Sequence, residues 1–329
     1  MRNGHFGRLA PAAAAEPVLG PYRAPPWLPG GHAQTIGPVL APRRRVPLQR
    51  ERWTTPDGDF IDVDWGGSHG ARRLLVLFHG LEGGAASHYV PRLARAALAR
   101  GWAFALPHFR GCSGEPNRLA RAYHSGDSDE AHWLLERLRA RCERLAAAGV
   151  SLGGNVLLKW LGERGEAAQR TVVRAAAISA PFDLEAAGRA LARGFNRLVY
   201  ARHFLATLKP KAIAKARRFP GLIDAARVGR ARTLREFDDA VTAPLHGFRD
   251  ALDYWRRASA AQLLGAIRVP TLLLNARNDP FFPEATLVRA AAGASPWVER
   301  DFPATGGHAG FPGCGDWLAR RVLDFLDRP

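Results

Sequence analysis

Cysteine is almost absent from these 329 residues: Cys112, Cys142 and Cys314 are widely spaced, odd in number and form no CxxC pair. A disulfide framework or a thiolate zinc cluster is excluded on that count, and a reducing, cytoplasmic setting is expected. Long apolar runs are missing too, since no stretch approaches the roughly 18 residues of a membrane span. At the N-terminus Arg2 and Arg8 precede an Ala-rich run from Ala10 to Ala15, but Pro11 interrupts it, Glu16 ends it, and it holds neither Leu nor Ile. Such a run makes a poor signal-peptide core and reads as a flexible tail. Lysine is nearly missing, with Lys159, Lys209, Lys211 and Lys215 the whole set.

Acids are outnumbered, 30 against 47 Lys and Arg, so the formal charge is +17. The excess is regional. Residues 1–50 hold seven Arg and one acid, and residues 184–265 hold sixteen Lys or Arg against seven acids. A codon bias toward Arg accounts for the scarcity of Lys but not for that of acids. A basic region attracts phosphates, acidic lipid surfaces or carboxylated substrates, while the plain alternative is a solvated surface.

Residues 1–45 are rich in Pro, Gly and Ala and read as an irregular arm. Beyond them, short apolar runs alternate with helical patterns. Residues 74–78, Leu-Leu-Val-Leu-Phe, form a continuous apolar run of the kind a buried parallel strand needs. Further strands are expected at 102–106, 145–150, 172–179, 271–275 and 296–301, and helices at 89–100, 127–141, from about Asn155, and at 315–326. Strand and helix in alternation imply an α/β fold with a doubly wound, mostly parallel sheet. Residues 184–265 break the rhythm with Arg-rich helical patterns and no convincing strand. They read as a helical lid inserted between a first core part, 46–183, and a second, 266–329.

The strongest chemical signal is Gly149-Val150-Ser151-Leu152-Gly153, with a strand before it and a helix after. A serine hydroxyl is a poor nucleophile unless it is exposed, uncrowded and given a base. Glycines two residues to either side permit the tight strand-to-helix turn that exposes it. In the α/β-hydrolase fold the carboxylate and then the histidine follow in the chain. Eleven histidines compete. His308, in Gly306-Gly-His-Ala-Gly310, follows the last expected strand, where catalytic groups of open α/β sheets gather. Asp279 follows the strand before it and is preferred over Asp301, which sits at a strand end too late in the order. The oxyanion hole is expected to combine the amides of Leu152 and of Leu81, the latter in the loop His79-Gly-Leu-Glu-Gly-Gly84.

Weaker features read as structural. His79 directly follows a buried strand and is expected to brace its loop. Arg110-Gly-Cys-Ser-Gly114 is expected to shape the wall of the site, with Cys112 a packed thiol. Tyr123-His-Ser-Gly-Asp-Ser-Asp129 leads into a helix that its polar residues are expected to cap. No metal-ligand spacing, P-loop or other cofactor-binding pattern occurs.

Taken together these residues resemble the YheT-like hydrolases of bacteria, which are related to the eukaryotic abhydrolase-domain lipid hydrolases. The likeness is carried by Thr55-Pro-Asp-Gly-Asp-Phe-Ile-Asp-Val-Asp-Trp65, His79-Gly-Leu-Glu-Gly83 with Ser87-His-Tyr89, Arg110-Gly-Cys-Ser-Gly114, Tyr123-His-Ser-Gly126, the Ser151 elbow through Asn155, Asn278-Asp-Pro280 and Gly306-Gly-His-Ala-Gly-Phe311. Upstream, Trp27-Leu-Pro-Gly-Gly-His-Ala-Gln-Thr-Ile36 is similar to that family's N-terminal stretch. The resemblance implies a Ser151–Asp279–His308 triad and esterase-type activity on a small-molecule or lipid ester. An acyltransferase with the same triad, and a basic protein that keeps the fold for binding, are the rival readings. The charge of the lid points to an anionic or membrane-associated ester and to peripheral contact with an anionic membrane surface. No nucleic-acid partner is expected.

Overall fold

The sheet opens with a hairpin. Strand β1 (Gln49–Thr54) runs antiparallel to β2 (Phe60–Gly66), and the turn between them passes through Gly58 at φ 82°. Neither strand was expected: β1, Gln-Arg-Glu-Arg-Trp-Thr, has no apolar run, and the alternation of Ile61, Val63 and Trp65 in β2 went unread. Charge zips the pair instead: Arg50 lies opposite Asp64 and Arg52 opposite Asp62, with N–O distances of 2.7 and 2.8 Å. Opposite charges at facing positions are a recognised source of sheet stability.

The remaining strands are β3 (Arg73–Phe78), β4 (Ala103–Pro107), β5 (Arg144–Val150), β6 (Arg174–Ile178), β7 (Thr271–Leu274) and β8 (Val298–Asp301). The sheet order is β1-β2-β4-β3-β5-β6-β7-β8, antiparallel from β1 to β4 and parallel from there on. This computed structural model describes residues 19–42, 45–68 and 70–329, without the side chain of Cys314. The Ala-rich run read as a flexible tail lies outside the described residues.

Alternation along the strands feeds two apolar layers. Leu74, Val76 and Phe78 face one layer, and Leu75 and Leu77 the other. Helices α1 (Gly30–Leu40), α2 (Val90–Ala99), α3 (Ser128–Arg139) and α4 (Leu152–Arg164) come first in the chain. Then follow α5 (Leu184–Leu191), α6 (Arg202–Arg218), α7 (Ala251–Ala258), α8 (Glu284–Ala291) and α9 (Trp317–Leu326). Leu134 and Leu135 of α3, Leu157 of α4 and Leu287 of α8 join the first layer; Leu93 of α2 and Val322 of α9 join the second.

Helix α1 corrects the irregular arm expected over residues 1–45. It contains Gly30, Gly31, Gly37 and Pro38, poor helix formers that hid it from the sequence, and tertiary contacts hold it in place. Between β6 and β7 the described chain consists of helices joined by turns, with no strand. This insertion has its own apolar cluster, with Leu205, Val228, Phe237 and Val241 among its buried members. Helices α5 and α7 meet so closely that a Cβ on Gly188 would lie 2.4 Å from the Trp255 ring. Among the described residues no helix is long and apolar enough to cross a membrane.

Candidate active site

Ser151 stands between β5 and α4 at φ 53°, ψ −121°, a region a side chain rarely occupies. Its flanking glycines are obligatory. A Cβ on Gly149 would lie 2.3 Å from Gly153 O, and one on Gly153 would lie 2.3 Å from Phe78 O and 2.6 Å from His79 O. The helix begins at Leu152, one residue after the serine, rather than near Asn155 as expected. Asn155 does different work: its Nδ2 donates to Ser125 O and Ala258 O at 2.7 and 2.8 Å, and its Oδ1 accepts the Ala260 N–H at 3.1 Å. It thereby ties α4 to the end of the insertion.

Ser151 Oγ lies 2.9 Å from His308 Nε2, and His308 Nδ1 lies 2.8 Å from Asp279 Oδ2. The other Asp279 oxygen accepts the Phe281 N–H at 2.8 Å, while the Phe281 ring stacks on the imidazole at 4.0 Å. The three residues singled out from chain order are therefore brought together. Asp301 is not: it pairs with Arg321 at 2.6 Å.

The loop after β3 permits an accounting of backbone donors. Gly80 N–H donates to Tyr89 Oη (2.8 Å), Glu82 N–H to Tyr123 Oη (3.0 Å), Gly83 N–H to Gly80 O (3.0 Å) and Gly84 N–H to Ser87 Oγ (3.1 Å). Within this run only the Leu81 N–H has no protein acceptor among the described residues. Leu152 N–H, at the start of α4, has none either, as helix geometry dictates for a first turn. His79 braces the loop from below. Its Nδ1 lies 2.8 Å from Gly80 O, its Nε2 accepts the Phe109 N–H at 3.1 Å, and burial pushes its pKa down to about 3. It has no free nitrogen for proton transfer.

Sequence reasoning missed the residues that hold the loops bearing Asp279 and His308. Gln34 Oε1, on α1, accepts from Asn278 Nδ2 at 2.9 Å and from the Gly306 N–H at 2.8 Å, while its own Nε2 donates to Leu28 O at 2.9 Å. Thr35 Oγ1 accepts the His308 N–H at 2.8 Å. Contact is so close that a Cβ on Gly310 would lie 1.9 Å from Gln34 O, and one on Gly31 the same distance from Asn278 O. The stretch Trp27 to Ile36 carried family likeness, which was the available signal, but nothing in it disclosed a helix clamped across both loops.

A cavity of about 760 Å³ opens beside Ser151. Leu184, Leu191, Phe204, Leu208 and Phe281 give it apolar walls, and Lys211, Lys215 and Arg218 line it as well. Arg110 and Cys112 form part of the wall, and burial pushes the Cys112 thiol up to about 12, which keeps it protonated. The polar run expected to cap α3 does not: Asp127, at the N-cap, makes no side-chain cap bond. It pairs with Arg121 at 2.5 Å, and the Ser125 N–H donates to Tyr254 Oη of the insertion at 2.8 Å.

Behind the wall, Arg110 is buried among three carboxylates, with contacts of 2.7 Å to Asp57, 3.2 Å to Asp59 and 2.6 Å to Glu130. Burial alone would raise the Asp59 carboxyl, but Asn117 and the Arg118 and Leu119 N–H groups hold it below its ordinary range. Glu130 goes the other way. Burial, and then the charge of Asp127, push it well above the usual carboxyl range, and its Oε2 is buried without a hydrogen-bond partner. One guanidinium does not neutralise three carboxylates, and Glu130 is the one that takes a proton most readily. Among the described residues no cluster of His, Cys, Asp or Glu has the arrangement to hold a metal ion.

A serine on a strand–glycine–helix elbow, met by a histidine and an aspartate from the loops after the last two strands, defines an α/β-hydrolase type of protein. Residues 73–312 match the family described as alpha/beta hydrolase fold, and the chain belongs to that family. It is 42% identical to the Escherichia coli (strain K12) protein named "Putative esterase YheT", over 90% of this chain and 89% of that one. Phospholipase ABHD3 of Mus musculus is 28% identical over 92% of this chain and 75% of its own. The solved esterase EaEST from Exiguobacterium antarcticum shares the fold with a TM-score of 0.57 at 15% identity, over 85% of this chain and all of that one.

Glu130 supplies a prediction about stability. A carboxyl held above its unfolded value keeps its proton longer in the native state, so its contribution is full below the ordinary carboxyl range and is lost as pH rises through the raised value. Wild-type stability is expected to fall between about pH 5 and pH 8 more steeply than that of Glu130→Gln. Urea unfolding midpoints at the two pH values measure this; parallel declines would show that Glu130 is not the group responsible.

Proposed function

We propose that this protein is a serine hydrolase of carboxylic esters that works through an acyl-enzyme on Ser151. The observation that carries the reading is the continuous relay from Asp279 through His308 to Ser151, with contacts of 2.8 and 2.9 Å, at the mouth of an apolar cavity. His308 accepts the Ser151 proton as Oγ attacks the ester carbonyl. Asp279 holds the tautomer with Nδ1–H toward it and stabilises the imidazolium. The N–H groups of Leu81 and Leu152 donate to the developing oxyanion. The alcohol leaves with the proton from His308, and water then attacks the acyl-enzyme by the same route in reverse roles. This chemistry calls on no cofactor.

The substrate class follows from the walls. Apolar side chains suit an acyl chain, and the cationic side of the cavity suits an anionic or polar head, which makes a lipid ester the best fit. The phospholipase named among the relatives is in keeping with that reading. Peripheral contact with an anionic membrane is supported by Arg193, Arg197 and Arg202 of the insertion, which are exposed and pair with no carboxylate among the described residues. In the same segment Phe195 and Leu198 are 47% and 69% exposed.

Hydrolysis of p-nitrophenyl esters of graded chain length tests the chemistry. Wild type is expected to turn them over, with kcat/KM rising about fourfold per added carbon until the cavity fills, since each buried CH₂ contributes about 0.8 kcal/mol. Ser151→Ala is expected to be inactive at every length, and activity surviving in that variant would remove Ser151 from the mechanism. Gln34→Ala is expected to lower kcat by about ten- to a hundredfold through displaced loops, with KM little changed. An unaltered kcat would mean that α1 does not position the site.

A further inference from the structure

Glu82 directly follows Leu81, yet no step of the acyl transfer uses it. Its backbone is left-handed at φ 55°, a conformation that costs a non-glycine residue about 1–3 kcal/mol unless its surroundings enforce it. Enforcement comes from Tyr123, whose Oη accepts the Glu82 N–H at 3.0 Å and whose hydroxyl donates back to Glu82 Oε1 at 2.8 Å. Tyr123 is fixed in turn by a parallel stack on Phe109, centroids 5.2 Å apart and planes inclined by 9°. On the other side of Leu81, Gly80 N–H is held by Tyr89 Oη. Two tyrosines thus hold the peptides on either side of the candidate oxyanion donor.

The second Glu82 oxygen reaches out of the core. Oε2 lies 2.8 Å from Lys211 Nζ on α6, and the side chains are 7% and 48% exposed respectively. A carboxylate that buried depends on its counter-ion, because removing the partner strands a charge in an apolar wall. Of the other contacts to the carboxylate, the Tyr123 hydroxyl at 2.8 Å from Oε1 is neutral and Cys112 Sγ at 3.9 Å is a weak donor, so neither replaces the counter-ion. The other attachments of α6 to this part of the core are of a different kind. Lys215 Nζ donates to Asn117 Oδ1 and Leu119 O at 2.9 and 2.7 Å, and Arg218 donates to Asn117 O at 3.2 Å. All of these acceptors are neutral. Among the described residues, Lys211 is the α6 cation that meets a carboxylate, and that carboxylate adjoins Leu81.

We propose that Glu82 is a positioning residue that couples the insertion to the oxyanion loop: paired with Lys211, it sets the Leu81 N–H for catalysis when α6 lies over the cavity. This rests on the Ser151 acyl-transfer reading. Loss of the ion pair leaves the Glu82 charge to seek water, turns the left-handed peptide and moves the adjoining N–H. The nucleophile, base and orienting acid stay where they are. The fault therefore falls on oxyanion stabilisation, not on substrate binding.

The test compares wild type with Lys211→Met, Lys211→Arg, Glu82→Gln and the Lys211→Met/Glu82→Gln double variant. Two quantities are read: the rate at which a fluorophosphonate probe labels the nucleophilic serine, and kcat and KM for one p-nitrophenyl ester. Lys211→Met and Glu82→Gln are each expected to slow labelling and lower kcat by about ten- to a hundredfold, a fraction of the loss known for deleting an oxyanion donor outright. KM is expected to change little, Lys211→Arg to recover most of the rate, and the double variant to be no slower than the worse single one. Thermal melting verifies that each variant folds. Wild-type labelling in Lys211→Met, losses that multiply in the double variant, or a change confined to KM would each overturn the coupling and leave the Ser151 reading intact. A wild-type protein that takes no label and cleaves no ester would overturn the Ser151 reading itself.

Discussion

The closeness of α4 to the end of β3 is the constraint on which the site depends. With no side chain at Gly153, the backbone of α4 settles against Phe78 O and His79 O, where a Cβ would come within 2.3 and 2.6 Å. That approach sets the first turn of the helix beside the loop after β3. The Leu152 N–H at the start of that turn and the Leu81 N–H of the loop have no protein acceptor among the described residues. The strained Ser151 backbone costs about 1–3 kcal/mol. Val156, Leu157, Leu158 and Leu161 of the same helix are fully buried, and each buried side chain of that size contributes about 1.5–3 kcal/mol. The helix therefore stays seated, and the serine is held in a conformation it would leave if free.

How much of this was legible in the sequence depends on which force builds each part. Strands β3 to β7 are continuous apolar runs, and burial on both faces is what such runs report. Ser151, Asp279 and His308 could be placed because each follows a strand in a known order. The β1–β2 hairpin escaped because β1 has no apolar run and is held by arginine–aspartate pairs, although β2 does alternate, with Ile61, Val63 and Trp65 separated by Asp62 and Asp64. Helix α1 was hidden for a related reason. Its glycines and proline argue against a helix locally, and only the partners of Gln34 and Thr35, far along the chain, make it one. Gly31, one of the glycines that weaken it, lets Asn278 come close, and Gly307 and Gly310 of the His308 loop admit the backbone of Gln34 and Thr35 in turn.

The charge of the chain resolves into populations that composition could not separate. Arg50, Arg52 and Arg110 are matched to carboxylates and help build the core. Lys215 and Arg218 donate to carbonyl and amide oxygens while keeping their charge at the cavity wall. Arg193, Arg197 and Arg202 face solvent. The positive charge of the chain is thus not a uniform field: part of it is structural, part grips the core, and the remainder is free to meet an external anion. A net figure of +17 is silent on that division, although it decides whether a cation can contribute to binding at all.

The insertion also stands apart from the loops at the strand ends. Ser151, His308 and Asp279 come from those loops, while most of the apolar wall comes from α5, α6 and the turns that follow. Replacing the insertion would change the shape of the cavity without touching the relay. What keeps the two halves from being independent is the nature of the contacts between them. Burial lowers the Lys215 ammonium to about 8, and its acceptors are neutral oxygens that carry no full charge to offset the lost hydration. The ion pair from Lys211 to Glu82 is the contact, among the described residues, that ties the helix to a carboxylate, and it does so beside the Leu81 peptide. A cover tied through a charge to the loop after β3 carries its own seating to the edge of the site, because Leu81 and Ser151 line the same cavity that α6 covers.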